Sequence, residues 1–128
     1  MAEGIPMPEK AVLIMCTFPE ADLARTAIRA VVSEGLAACG TMIMDAESIY
    51  AWKGEIETSQ ETIVFLKAPE SCYPALEQRL RQLHPYEVPE VIGLDISQGL
   101  PAYLEWILES CGGPRIGEAG AGVGEVGE

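Results

Sequence analysis

Residues 36–67 read LAACGTMIMDAESIYAWKGEIETSQETIVFLK, and this stretch decides the fold. Leu36 to Trp52 is extended in character, with a break near Asp45-Ala46. Lys53-Gly54 is a turn signal, and Glu55 to Lys67 supplies a partner strand ending in the apolar run Ile63-Val64-Phe65-Leu66. Two strand-like runs around a two-residue turn predict a long antiparallel hairpin.

What flanks the hairpin is symmetric. Upstream, Ala11 to Cys16 (AVLIMC) is a short unbroken apolar run, the pattern of a central strand covered on both faces. Thr17-Phe18-Pro19 breaks it. From Pro19 the periodicity becomes helical, with Leu23, Ala24, Ala27, Ile28, Val31 and Val32 on one stripe and Gly35 as the stop. Downstream, Tyr73, Leu76, Leu80 and Leu83 form a second helical face, with Ser71 as the expected N-cap and Pro74 in the first turn. His84-Pro85-Tyr86-Glu87-Val88-Pro89-Glu90 is non-helical because each proline restricts the residue before it. Residues 91–96 predict a fourth strand. Pro101 opens a last helix with Tyr103, Leu104, Ile107, Leu108 and Cys111 on one side.

The order β-α-β-β-α-β-α, with right-handed crossovers, has one natural solution: an α+β, ferredoxin-like antiparallel sheet with helices on one face. The other face and the hairpin edges then need cover, and Met42, Met44, Ile49, Tyr50 and Trp52 lie on that hairpin. Oligomerisation through the hairpin follows as an expectation. The ends differ from the middle. Residues 112–128 hold seven of the chain's 13 glycines and show no periodicity, so a disordered tail is expected there. Residues 1–10 are expected to be a flexible arm, leaving one domain over 11–111.

Composition narrows function. Eight Lys+Arg stand against 20 Asp+Glu, a formal net charge of −12. That excludes a phosphate-neutralising nucleic-acid surface and disfavours an anionic membrane. The N-terminal residues show neither the basic nor the apolar region of a secretory signal. Four cysteines, Cys16, Cys39, Cys72 and Cys111, make no C-x-x-C pair, and reduced thiols in the cytoplasm are the expectation.

The fold hosts many functions, so the site must decide. RNA recognition needs aromatic stacking residues on the central strands, and the third strand offers only Phe65. A heavy-metal carrier of this fold needs two cysteines after strand one, where this chain has Cys16 alone. A phosphatase-like hydrolase needs a glycine-rich anion turn, and Thr17-Phe18-Pro19-Glu20 is not one. No enzymatic activity is expected. What remains is a binding or regulatory module. Cys16 and His84 sit at element ends, where ligands converge, and thiolate and imidazole suit copper and zinc. A lone loop histidine is more often a hydrogen-bonded structural residue than a ligand, and both readings stand. Tyr50, Trp52 and Trp106 read first as packing anchors.

Four segments resemble the CutA divalent-cation tolerance family: Gly35-Leu36-Ala37-Ala38-Cys39, Ser48 to Glu57 (SIYAWKGEIE), Leu83 to Glu90 (LHPYEVPE) and Tyr103-Leu104-Glu105-Trp106-Ile107. The resemblance spans about 11–110, and the joint order of the four motifs is highly specific. It implies a ferredoxin-like homotrimer of PII-like architecture that responds to divalent metal ions, chiefly copper. It implies metal capture by Cys16 and His84, with Glu61 and Glu90 as further candidates. Leu83 stands where the family can carry a second histidine. It also implies that Tyr50, Trp52, Lys67, Tyr86 and Trp106 line a groove between subunits. The alternative it leaves is a PII-like signalling module that binds a small ligand in that groove.

Overall fold

The computed structural model describes residues 9–112. The arm expected at the N-terminus lies outside the described residues up to residue 8, and the glycine-rich tail lies outside them from residue 113 on.

Strand β1 (Ala11–Phe18) lies at the centre of a four-stranded sheet. It runs two residues past the expected break, because Thr17 and Phe18 stay in register with Ile63 and Thr62 of β3 (Glu55–Pro69). Only Pro19, with no N–H to give the ladder, ends it. Helix α1 (Ala21–Ser33) follows, later than Pro19 predicts, with Glu20 as an extended N-cap residue. Ala24, Ala27 and Val31 are buried and Ile28 and Val32 pack beside them, while Leu23 falls at the edge of the stripe and is exposed. The helix closes as expected at Gly35: Gly35 N–H donates to Val32 O and Leu36 N–H to Val31 O, the paired bonds of a Schellman ending.

Strand β2 (Cys39–Trp52) pairs antiparallel with β3 from Cys39↔Lys67 to Trp52↔Glu55. The turn is the predicted Lys53-Gly54, both at positive φ (51° and 83°), the conformation that suits the right-handed twist of a two-residue hairpin. The predicted interruption is a β-bulge between Ile43 and Ala46, with Asp45 at φ 66°. The bulge switches the parity of β2. Cys39, Thr41 and Ile43 share a face with Lys67, Phe65 and Ile63; beyond the bulge Ala46, Ser48 and Tyr50 share it with Glu61, Ser59 and Glu57.

After β3 a 3-10 turn (Glu70–Cys72) leads into α2 (Tyr73–Leu83). Ser71 is not the cap: Cys72 occupies that position, and the Ser71 N–H donates to the Glu9 carboxylate. Strand β4 (Val91–Asp95) pairs with β1 and completes the order β2-β3-β1-β4, with every pairing antiparallel. This is the ferredoxin-like arrangement. Helices α1 and α2 cover one face, enclosing Val12, Ile14, Cys16, Phe18, Val64, Leu66, Leu76 and Leu80.

Helix α3 (Pro101–Glu109) departs from the single helical layer predicted. It crosses one end of the opposite face, where Ile107 packs on Ala11 and Ala38 and Tyr103 reaches Cys39 and Lys67. The rest of that face is open. Ile43, Ile92 and Leu94 on it are each close to half exposed.

Candidate functional site

The predicted metal residues gather at the C-terminal end of β1. His84 is the C-cap residue of α2, held extended (φ −93°, ψ 139°) as the following Pro85 requires. Its ring is buried, stacked on Phe18 at 4.4 Å and tilted against Tyr86 at 4.9 Å. Nε2 lies 2.6 Å from Thr17 O, and Nδ1 lies 3.1 Å from the Tyr86 amide nitrogen. An amide N–H can only donate and a carbonyl can only accept. His84 is therefore protonated on Nε2 when neutral, and its one lone pair is taken by Tyr86 N–H.

Cys16 is on the helix-covered face of β1 and has no exposure to solvent. Burial, reinforced by the carboxylates of Glu90 and then Glu61, pushes its thiol up to about 12. Glu61 sits on the open face of β3. It accepts from Ser48 Oγ at 2.7 Å and from the Tyr86 hydroxyl at 3.4 Å. Burial and the nearby Glu61 raise the Tyr86 phenol. A shallow hollow of about 120 Å³ beside the bulge is lined by Pro19, Met44, Asp45 and Glu61 among others.

Cys16, Glu61, His84 and Glu90 thus come from four places in the chain to one end of the sheet. As folded, His84 and Glu61 are hydrogen-bonded within the chain and Cys16 is sealed from solvent, while Glu90 is exposed. Ligation by His84 Nδ1 requires release of the Tyr86 amide, and ligation by Cys16 requires loss of a strongly held proton. Among the described residues no three His, Cys, Asp or Glu side chains are already arranged around a metal position.

The five groove residues divide among three places. Tyr50, bonded to Ser59 Oγ at 2.8 Å, lies near Tyr86 and Glu61. Trp52 is at the hairpin tip, 59% exposed, with Lys53 Nζ at 5.7 Å from its ring. Lys67 and Trp106 are at the other end of the open face, where both meet Tyr103. Lys67 Nζ lies over the Tyr103 ring at 5.7 Å, Trp106 stacks on it at 5.6 Å, and its hydroxyl is 3.7 Å from Cys39 Sγ. Sequence reasoning missed Cys39 and Tyr103 as site candidates. One read as a core thiol and the other as helix packing, and only the register Cys39↔Lys67 brings them together under α3.

Residues 12–110 match the family described as CutA1 divalent ion tolerance protein. The chain belongs to this family. A divalent-cation tolerance protein CutA from Thermus thermophilus is 41% identical over 100 residues, covering 78% of this chain and 97% of that protein. Mouse protein CutA is 43% identical over 103 residues, 80% of this chain but 57% of its own length. The crystal structure of CutA from Xylella fastidiosa superposes with a TM-score of 0.79 at 41% identity, covering 80% of this chain and 99% of that one. The CutA likeness therefore spans the sheet, all three helices and both ends of the open face.

Proposed function

We propose that this chain is a non-enzymatic copper-binding member of the family, acting in the response to metal ions. In this reading Cys16 thiolate and His84 imidazole capture the ion, and Glu61 and Glu90 supplement them. One observation supports it: the residues bearing a thiol, an imidazole and carboxylates, from β1, β3, the end of α2 and the residue before β4, lie at the Thr17 end of the sheet. A thiolate with an imidazole favours copper over magnesium or calcium, which prefer oxygen donors alone. Capture costs the Tyr86–His84 hydrogen bond and the Cys16 proton, so affinity rises with pH. The apolar core is built without donor atoms of this set other than Cys16, and the ion is not needed for folding. The test is titration of Cu(II) and Zn(II) into the wild type and a Cys16→Ser/His84→Ala variant. A loss of about tenfold or more is expected; unchanged affinity overturns the assignment.

A second reading is favoured by the open face. Its half-exposed Ile43, Ile92 and Leu94 and the 14-residue edge strand β2 are surfaces a further copy can cover. We infer a homotrimer assembled through that face and the hairpins, with residues 11–111 as its folded unit. Neighbouring copies would bring the Tyr50/Tyr86 patch of one subunit, with its Trp52, towards the Lys67/Trp106 patch of another. Such an aromatic groove with one cation fits a small ligand, as in a PII-like signalling module. Light scattering is expected to give three times the 13.8 kDa chain mass; a monomer overturns the groove. A thermal-shift screen of nucleotides and metabolites in metal-free buffer tests the ligand, and a null result counts against it. The acidic balance supports a partner that is neither nucleic acid nor membrane, and four cysteines outside any disulfide support the cytoplasm.

A further inference from the structure

The hollow beside the bulge is bordered by polar groups that the fold leaves without partners. Thr62 pairs with Phe18, the last residue of β1, and shares the helix-covered face of β3 with Val64 and Leu66. It is 3% exposed, yet its hydroxyl makes no hydrogen bond among the described residues. A hydroxyl on so deeply buried a residue ordinarily finds a partner. No side-chain polar atom among the described residues is sealed off without one, so the Thr62 oxygen opens onto the hollow that its residue lines.

The start of α1 is the second wall. Pro19 and Ala21 line the hollow, Glu20 between them is extended, and no side chain caps the helix. The Asp22 carboxylate is turned to Arg25 at 2.9 Å. The first intrahelical bond runs from Ala24 N–H to Glu20 O, which leaves the N–H groups before it for an outside acceptor, at the positive end of the helix dipole. The bulge is the third wall. Met44 and Asp45 sit opposite Thr62, between the pairs Ile43↔Ile63 and Ala46↔Glu61. The exposed side chains of Asp45 and Gln60 line the hollow and make no hydrogen bond or ion pair among the described residues. Glu61 is held by Ser48 and Tyr86 and adds only its charge.

Donors and carboxylates therefore border the same small space. A lone anion would meet the charges of Asp45 and Glu61. A lone cation would meet backbone N–H groups that offer it no lone pair. A molecule carrying both charges suits both walls. We propose that the hollow binds a small zwitterion, a free α-amino acid with a short side chain. Its carboxylate accepts from the first N–H groups of α1 and from the Thr62 hydroxyl, and its ammonium donates to the Asp45 carboxylate and the Gln60 amide oxygen. The volume of about 120 Å³ equals about four waters at roughly 30 Å³ each, room for the charged backbone of an amino acid and little more. Thr62 and Asp45 have no part in copper capture, so the site stands apart from that reading.

The full chain, isotope-labelled, is titrated in turn with L-alanine, acetate, methylammonium and magnesium ions and followed through its amide NMR signals. Saturable shifts are expected with L-alanine at Ala21, Asp22 and Thr62, and none that saturate with the other three. Thr62→Val keeps the shape and removes the hydroxyl, and is expected to weaken L-alanine binding about fivefold; Asp45→Asn is expected to weaken it about tenfold or more. Circular dichroism checks both folds, and the exposed position of Asp45 keeps the test decisive if the Thr62 variant does not fold. No saturable shift with L-alanine, shifts confined to the Lys67/Tyr103 end of the open face, equal binding of acetate, methylammonium or magnesium alone, or wild-type affinity in either folded variant overturns the proposal.

Discussion

The two halves of the β2–β3 ribbon share one hydrogen-bonded ladder but differ in what covers them. On the near side of the bulge, β3 sends Val64, Leu66 and Ala68 into the layer of α1 and α2, where each is essentially inaccessible. On the far side, Ile49, Trp52 and Ile56 are 64%, 59% and 73% exposed. Both halves are rich in strand formers. The near half is stabilised by this chain's own helices, at roughly 25 cal/mol for each Å² of apolar surface removed from water. The far half reaches beyond them, and its apolar side chains gain nothing until another surface arrives.

The sharpest way to break this contrast is a pair of truncations. Leu66→Ala is expected to cost about 2–5 kcal/mol in chemical denaturation, because it leaves a cavity under both helices. Ile56→Ala is expected to stay within about 0.5 kcal/mol for the isolated chain, while weakening self-association measured by sedimentation. Equal costs for the two would show that the ribbon is stabilised uniformly.

Alkaline titration probes the near half through Cys16, which pairs with Val64. Its thiol is pushed from 9.0 to about 12 in the folded chain. The unfolded thiol therefore ionises first. The folded state's advantage is complete below pH 9 and is lost as pH rises towards 12, amounting to roughly 3 kcal/mol by pH 11. Cys16→Ala should flatten that part of the stability–pH curve; an unchanged slope would place the alkaline loss elsewhere.

A third variant tests how tightly the near half is packed. A Cβ at Gly40 would come within 2.6 Å of Ile28 Cγ2 and 2.8 Å of Leu66 Cδ2. Gly40→Ala is therefore expected to destabilise by about 1–3 kcal/mol in denaturant titration, since Leu66 is fully buried and Ile28 packs against the same core. A small effect of the opposite sign is expected at the divide itself. Asp45 adopts φ 66° without glycine's freedom, so Asp45→Gly should leave the unfolding free energy unchanged or raise it by up to about 1 kcal/mol in denaturant titration. A large loss would show that the Asp45 side chain, rather than the backbone, makes the bulge.

Much of this was legible in the residues. The element order, the Lys53-Gly54 turn, the break at Asp45-Ala46 and the Gly35 stop follow from local chemistry, and the structure has each of them. Three readings failed for non-local reasons. Phe18 belongs to β1 because its ladder partner Thr62 is available, which no window around Thr17-Phe18-Pro19 reveals. Ser71 does not cap α2 because a 3-10 turn intervenes and Glu9 takes its amide. Helix α3 lies on the second face because α1 and α2 already fill the first. The site was legible as a list but not as a geometry: Cys16, Glu61, His84 and Glu90 lie at one end of the sheet, but Cys16 is on the helix-covered face and Glu61 on the open one, and the lone pair of His84 is assigned only by the position of Tyr86 N–H.

By itself the sequence determined which segments are strands and helices, the ferredoxin-like order and the family, because these rest on periodicity, turn residues and motifs within short windows. Tertiary structure alone decided which face each half of β2 presents, since one bulge reverses the parity of every residue beyond it. It also decided that Cys39 meets Tyr103 and that His84 Nε2 reaches Thr17 O. Those are contacts between residues far apart in the chain, and chain-local patterns carry no information about which distant partner arrives.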